Sequence, residues 1–198
     1  MGKKEKARAI EDIATGCALF LKDSVRSLVV VVSDAERRGM CTALETRGLK
    51  VATYGKQSDG SDLKPREIVA KFRKGYGDVL VGTNAQFAKG IDLPKKTAQV
   101  VFVLRPAFPS PDDPLTQFQE RRMGHRRWAL WNHKAMVDAL QVRGRNLRGP
   151  SDRGVTIFVS QQYRRLVHKS LPQSLRVSYR GELTLGAVLK DARKFLKE

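Results

Sequence analysis

Ser27-Leu-Val-Val-Val-Val-Ser33 decides how the chain folds, because four consecutive valines after a leucine restrict χ1 and suit a strand covered on both faces. Strands of that kind belong to parallel sheets. Asp34 follows as an N-cap for a helix over residues 35–47, and Gly48 ends it. Downstream, residues 51–54, 78–83, 99–104 and 154–159 read as further strands. Residues 64–74 read as a helix with Ile68, Val69 and Phe72 turned inward, after a polar loop over 55–62. Upstream, residues 1–6 read as a charged tail and 7–22 as an amphipathic helix carrying Ile10, Ile13, Cys17 and Phe20. Strand and helix alternate, so the expected architecture is α/β: a mostly parallel sheet with helices on both faces, in one domain over residues 1–198. The alternation breaks at 106–131, an irregular basic and aromatic insertion that opens on half of the chain's eight prolines. Within it, 117–127 reads as either a helix or a mobile loop.

Composition narrows the function classes. With 198 residues and 41% hydrophobic content, the chain has the material for a packed core, which excludes a disordered protein. Its longest aliphatic run ends at Val32, far short of the roughly 20 residues of a membrane span, and no secretory-type segment follows the basic N-terminus. A soluble, intracellular protein of the cytoplasm, nucleoid or nucleus is expected, without a membrane partner. Cys17 and Cys41 lie far apart with no partners at metal spacing, so neither a disulfide framework nor a metal site is expected. Against 20 Asp+Glu stand 38 Lys+Arg, a formal charge of +18, and a field of that sign attracts polyanions, of which nucleic acid is the commonest inside cells. Charge alone leaves a solvated basic surface equally open.

In parallel sheets ligands sit beyond the carboxyl ends of the strands. The loops there begin with Ser33, with Gly82-Thr83 and with Arg105-Pro106, which are small hydroxyl or backbone-rich groups and one guanidinium, suited to phosphates. Ser33 and Thr83 also suit plain turn or cap roles. Residues 132–149 read as a single helix whose Met136, Ala139, Leu140 and Leu147 face the sheet. Gln141, Arg145 and Arg148, spaced i, i+4, i+7, project together from its other side. Gly144, costing about 1 kcal/mol inside a helix, is expected to serve close packing.

Gln141-Val-Arg-Gly-Arg-Asn-Leu-Arg148, followed by Asp152-Arg-Gly154 and a strand, resembles motif VI of the superfamily 2 helicases, particularly the DinG/XPD-like group. Val79-Leu-Val-Gly-Thr-Asn-Ala-Gln-Phe-Ala-Lys-Gly-Ile-Asp-Leu-Pro94 resembles motif V of that group. Arg105-Pro-Ala-Phe-Pro-Ser-Pro-Asp-Asp-Pro114 is similar to its proline-rich connection, and Ser170-Leu-Pro172 to a later Leu-Pro. The resemblance implies a RecA-like second helicase lobe that closes over ATP and Mg²⁺ held mainly by a first, N-terminal lobe carrying the P-loop, and that grips single-stranded DNA. It implies arginine fingers at Arg145 and Arg148, with Gln141 orienting them. It implies nucleotide contact or coupling at Gly90 and Asp92, and phosphate contacts from Ser33 and Thr83. Arg105 belongs to the same rim. Arg121, Arg122, Arg126, Arg127 and Trp128 are expected to line the strand's path, with phosphate contacts and Trp128 or Trp131 stacking on a base, unless the tryptophans merely anchor a loop and the arginines are solvated. His125 reads as a surface residue.

Ala88-Lys89 stands where the group usually has Trp-Glu, Lys95 where it has Gly, and Ser160-Gln-Gln-Tyr163 where Asp-x-Arg is usual. The chain contains no G-x-x-x-x-G-K-[ST] and no acidic D-E-x-H-type run, so half of an ATP site is not encoded in it and the isolated chain is expected to lack ATPase activity. Two readings follow: the C-terminal motor lobe of an ATP-dependent DNA helicase, or a nucleic-acid-binding module that kept the fold and lost the motor.

Overall fold

The computed structural model describes residues 1–57, 59–87, 91–93, 95–147, 152–181 and 184–198. The chain opens with α1 (Lys3–Lys22), β1 (Ser27–Val31), α2 (Asp34–Glu45) and β2 (Val51–Thr53). A small antiparallel hairpin, β3 (Gly55–Lys56) with β4 (Asp62–Leu63), interrupts the expected polar loop before α3 (Pro65–Arg73). Then come β5 (Val79–Thr83), the single turn α4 (Asn84–Phe87), β6 (Val100–Val103), α5 (Pro114–Met123), α6 (Arg127–Arg143) and β7 (Val155–Phe158). The chain closes with α7 (Gln162–Ser170), α8 (Gln173–Arg176) and α9 (Leu185–Lys197).

Among the described residues, β2, β5, β1, β6 and β7 form one sheet in that order, every pairing parallel. The valine run takes its centre. In β1 every residue is buried, and successive side chains alternate: Leu28 and Val30 join one core, Val29 and Val31 the other. The first core is closed by α3, α4, α6 and α7, through residues such as Phe72, Phe87, Met136 and Leu166; the second by α1, α2 and α9, through Phe20, Met40 and Leu189. Helices therefore cover both faces. Gly16 lets α1 come close, since a Cβ there would lie 2.8 Å from the Phe102 ring.

Several boundaries differ from the sequence reading. Helix α1 begins at Lys3, so most of the expected tail is helical. The N-cap of α2 is Ser33, not Asp34, because the serine hydroxyl reaches the Glu36 amide. In the 106–131 segment the irregular stretch ends at Asp113, whose carboxylate caps α5 through Thr116. A 3₁₀ turn over Gly124–Arg126 then leads into α6. The largest difference lies at the end of α6. That helix stops at Arg143 with Gly144 as its C-cap, so Gly144 is a terminator and not an interior packing residue, and Arg145 lies beyond the helix.

Candidate functional site

At the carboxyl end of β1, Glu36 gathers the surrounding polar groups. Its Oε2 accepts the amides of Val32 (3.0 Å) and Ser33 (3.1 Å), and the Glu36 amide donates back to Ser33 Oγ (3.3 Å), which is a capping box. Its Oε1 accepts from Arg105 Nε (2.8 Å) and pairs with Lys6 Nζ (3.0 Å). The residue is 3% exposed. Burial pushes its carboxyl upward, but the Arg105 and Lys6 bonds and the Val32 amide outweigh that and hold it at about 2. Ser33 and Arg105, expected at phosphates, thus each have an internal bond: the serine hydroxyl caps α2 and the guanidinium closes on a carboxylate.

On the neighbouring strand, Thr83 ends β5 with 7% exposure. Its Oγ1 lies 2.9 Å from the Tyr54 hydroxyl, which also accepts the Thr83 amide at 3.3 Å. The Tyr54 ring carries the Arg37 guanidinium 4.6 Å above its centroid and meets the Phe87 ring edge-on at 5.9 Å. Gly82 makes room for Phe87, because a Cβ there would fall 2.2 Å from that ring. Asn84 Nδ2 reaches Asp138 on α6 at 3.4 Å.

The segment after α6 lies at the other end of the sheet. Asn146, fully buried, donates from Nδ2 to the carbonyl of Gln99, the residue before β6, and packs against Gly154, just before β7. Next to it Arg145 donates from Nη1 to the Ile91 carbonyl (2.9 Å), and the Arg145 carbonyl accepts the Leu93 amide (3.0 Å). Arg73 on α3 donates from both Nε (2.7 Å) and Nη2 to the Asp92 carbonyl, so the 91–93 loop is fixed from both sides. Gln141 stands on the last turn of α6 with a buried Oε1 that has no partner among the described residues. Arg145 is therefore not carried on one rigid helix with Gln141, and it does not share the carboxyl rim with Ser33, Thr83 and Arg105. The helix reading failed there because Gly144 and Asn146 favour a turn with a buried amide over continued helix. Arg148 and Gly90 lie outside the described residues, as do Ala88 and Lys89.

Along the α5–α6 connection, Arg121, Arg122 and Arg126 are exposed. Trp128 is 53% exposed and meets Trp131 edge-on at 5.0 Å, while Trp131 is buried. Arg127 is half-buried, 3.6 Å from Glu120 and within 6 Å of both indoles, 5.7 and 5.9 Å from the centroids. The two tryptophans thus divide the roles between them: Trp131 anchors, and Trp128 is presented.

Residues 12–178 match the family model for the helicase C-terminal domain. The chain belongs to the helicase C-terminal domain family. None of the curated proteins matches it in sequence. Among solved structures, it is similar to Saccharomyces cerevisiae Dbp5 bound to RNA and ADP BeF3, at 19% identity with a TM-score of 0.54, over 96% of this chain and 42% of that one. It is also similar to the C-terminal domain of the DEAD-box protein Dbp5, at 17% identity and a TM-score of 0.50, over 86% of this chain and 82% of that one. A third similarity is to the Pyrococcus furiosus Hef helicase domain, at 19% identity and a TM-score of 0.45, over 77% of this chain and 24% of that one. The chain spans 24% and 42% of the lengths of the Hef and RNA-bound Dbp5 chains. The two Dbp5 likenesses agree with the observed fold, the RecA-like arrangement of a helicase C-terminal lobe.

Within this helicase C-terminal domain, no described helix is long and apolar enough to cross a membrane, and no cluster of three metal-binding side chains occurs among the described residues. Burial pushes the Cys17 thiol up to about 12 and Cys41 up to about 11, so both stay protonated and pack as small apolar groups. Three residues that sequence reading missed hold the candidate surfaces together. Glu36 was legible as the fourth residue of Ser33-x-x-Glu36, a capping-box spacing. Tyr54 and Arg73 carried no local signal, since their partners lie 29 and 19 residues away.

Proposed function

We propose that this chain is the second motor lobe of an ATP-dependent DNA helicase of the DinG/XPD-like group, working with a first lobe that carries the P-loop and binds most of the ATP and Mg²⁺. The observation that carries the reading is the meeting of two segments about fifty residues apart: Arg145 donates to the Ile91 carbonyl and accepts the Leu93 amide, so the motif V-like and motif VI-like stretches form one surface. That surface lies at the end of the sheet opposite the Ser33–Thr83–Arg105 rim. A motor lobe has two things to touch, a nucleotide on its neighbour and a nucleic-acid strand, and two separated surfaces suit that division.

On the first surface, Arg145 and Arg148 would place fixed positive charge at the γ-phosphoryl oxygens, where a planar guanidinium binds bidentately and keeps its charge. Gln141, with its buried unpartnered oxygen, has an acceptor available to orient such a guanidinium. Gly90 and Asp92 would carry the nucleotide state along the 91–93 loop. Bound ATP supplies the phosphoanhydride bond whose cleavage drives the motor. On the second surface, Ser33, Thr83 and Arg105 would face strand phosphates, and Arg121, Arg122, Arg126, Arg127 and Trp128 would extend the path, with Trp128 stacking on a base.

The test combines the chain with a P-loop lobe in trans and follows ATP turnover with and without single-stranded DNA. Turnover is expected only in the mixture, and Arg148→Ala is expected to lower it by about 10³-fold or more. Unchanged turnover in Arg148→Ala removes the finger role. DNA binding without turnover in any mixture favours the module that kept the fold and lost the motor.

A further inference from the structure

Tyr54 follows β2 at the sheet edge, and its phenolic oxygen meets both polar groups of one residue, Thr83 Oγ1 at 2.9 Å and the Thr83 amide at 3.3 Å. The ring is held in place independently of that contact. Arg37 stacks over it and donates from Nη1 to the Tyr54 carbonyl (2.9 Å) and to Thr53 Oγ1 (3.0 Å), while its Nε donates to Asp34 (2.7 Å). Phe87 adds an edge-to-face contact. Asp34, next to the Ser33 cap at the end of β1, is thus joined through Arg37 and Tyr54 to Thr83 at the end of β5. Two loops of the carboxyl rim are connected across the strand edge.

Proton counting gives this connection a direction. Each hydroxyl has one hydrogen to donate and two lone pairs, whereas a phosphodiester oxygen brings lone pairs only. If Thr83 donates to Tyr54, it meets a phosphate with nothing to give. We propose that Tyr54 is a positioning residue for Thr83: it accepts the Thr83 amide, donates its own proton to Thr83 Oγ1, and so leaves the threonine proton to be donated to a strand phosphate. The inference rests on the phosphate role proposed above for the carboxyl rim.

The test uses the full chain and a fluorescein-labelled oligothymidylate, with anisotropy read at fixed salt for wild type, Thr83→Val, Tyr54→Phe and the double variant, and thermal unfolding of each. Thr83→Val keeps the shape without the hydroxyl, and Tyr54→Phe keeps the ring contacts with Arg37 and Phe87. Each single variant is expected to bind about three- to tenfold more weakly, and the double variant no more weakly than Thr83→Val alone. Thr83→Ser, which keeps the hydroxyl, is expected to bind like wild type and to remain sensitive to Tyr54→Phe. A lowered unfolding midpoint in Tyr54→Phe with unchanged affinity, or additive losses in the double variant, overturns the proposal. A loss in Thr83→Val with none in Tyr54→Phe removes Tyr54 and leaves the phosphate role standing. Wild-type affinity in Thr83→Val overturns both.

Discussion

At the scale of single residues, Glu36 concentrates more of the molecule's internal electrostatics than any group at the rim, because four donors from helix α1 and the loops after β1 and β6 converge on one buried carboxylate. Replacing it by glutamine keeps an acceptor for the Val32 and Ser33 amides but leaves Arg105 and Lys6 facing a neutral amide. Breaking one side of a buried ion pair costs more than the pair contributes, so Glu36→Gln is expected to lower unfolding free energy by about 3 kcal/mol in urea titrations at neutral pH. The pH dependence follows from the same carboxyl. Its folded value of about 2 lies below the ordinary 4.5, so its contribution is fully present above the ordinary value and disappears as pH falls from there towards 2. Wild type should therefore lose its advantage over Glu36→Gln across that interval. A constant gap between the two proteins down to pH 2 would show that the ionised carboxylate is not what stabilises the rim.

At the scale of elements, what could be read from sequence tracked how local the deciding interactions are. The run from Ser27 to Ser33 announces a buried strand because a strand's period and its β-branched content both lie within a few residues, and β1 is where it was expected. The end of α6 did not announce itself. Gly144 is tolerable in a helix and Arg145 favours one, so the periodicity runs on, while the termination depends on Asn146 reaching the Gln99 carbonyl 47 residues away. The rim was legible as a list of loop-opening residues but not as a network, since the bonds that commit Ser33, Thr83 and Arg105 come from Glu36, Tyr54 and their neighbours. Gly82 shows the same limit on β5. The sequence suggests a residue that lets a ligand approach the backbone, whereas the structure places the fully buried Phe87 ring against it. Gly82→Ala is accordingly expected to destabilise the fold by about 1–3 kcal/mol through overpacking, and a second change, Phe87→Leu, is expected to restore part of that loss. If Gly82→Ala unfolds at the wild-type urea midpoint, the close approach of β5 and α4 is not a constraint.

At the scale of the whole molecule, the excess charge and the exposed aromatic would make separable contributions to the proposed strand binding, and salt distinguishes them. A chain carrying +18 attracts any polyanion over a distance set by screening, so affinity alone says little about where a strand lies. The slope of log affinity against log salt counts phosphates neutralised, at about 0.7 per contact for a single strand. Arg121, Arg122 and Arg126 are exposed along the α5–α6 connection, whereas Arg127 is partly committed to Glu120 and the indoles. Substituting the three exposed arginines by alanine should reduce the slope by about 2 if each meets a phosphate. Trp128→Ala should leave the slope unchanged and weaken binding by about 1–3 kcal/mol at every salt concentration, because stacking releases no counterions. A triple variant that keeps the wild-type slope would put the strand elsewhere on the basic surface. A Trp128 variant with a reduced slope would mean that its loss displaces neighbouring arginines, making it an anchor in the manner of Trp131 and not a stacking platform.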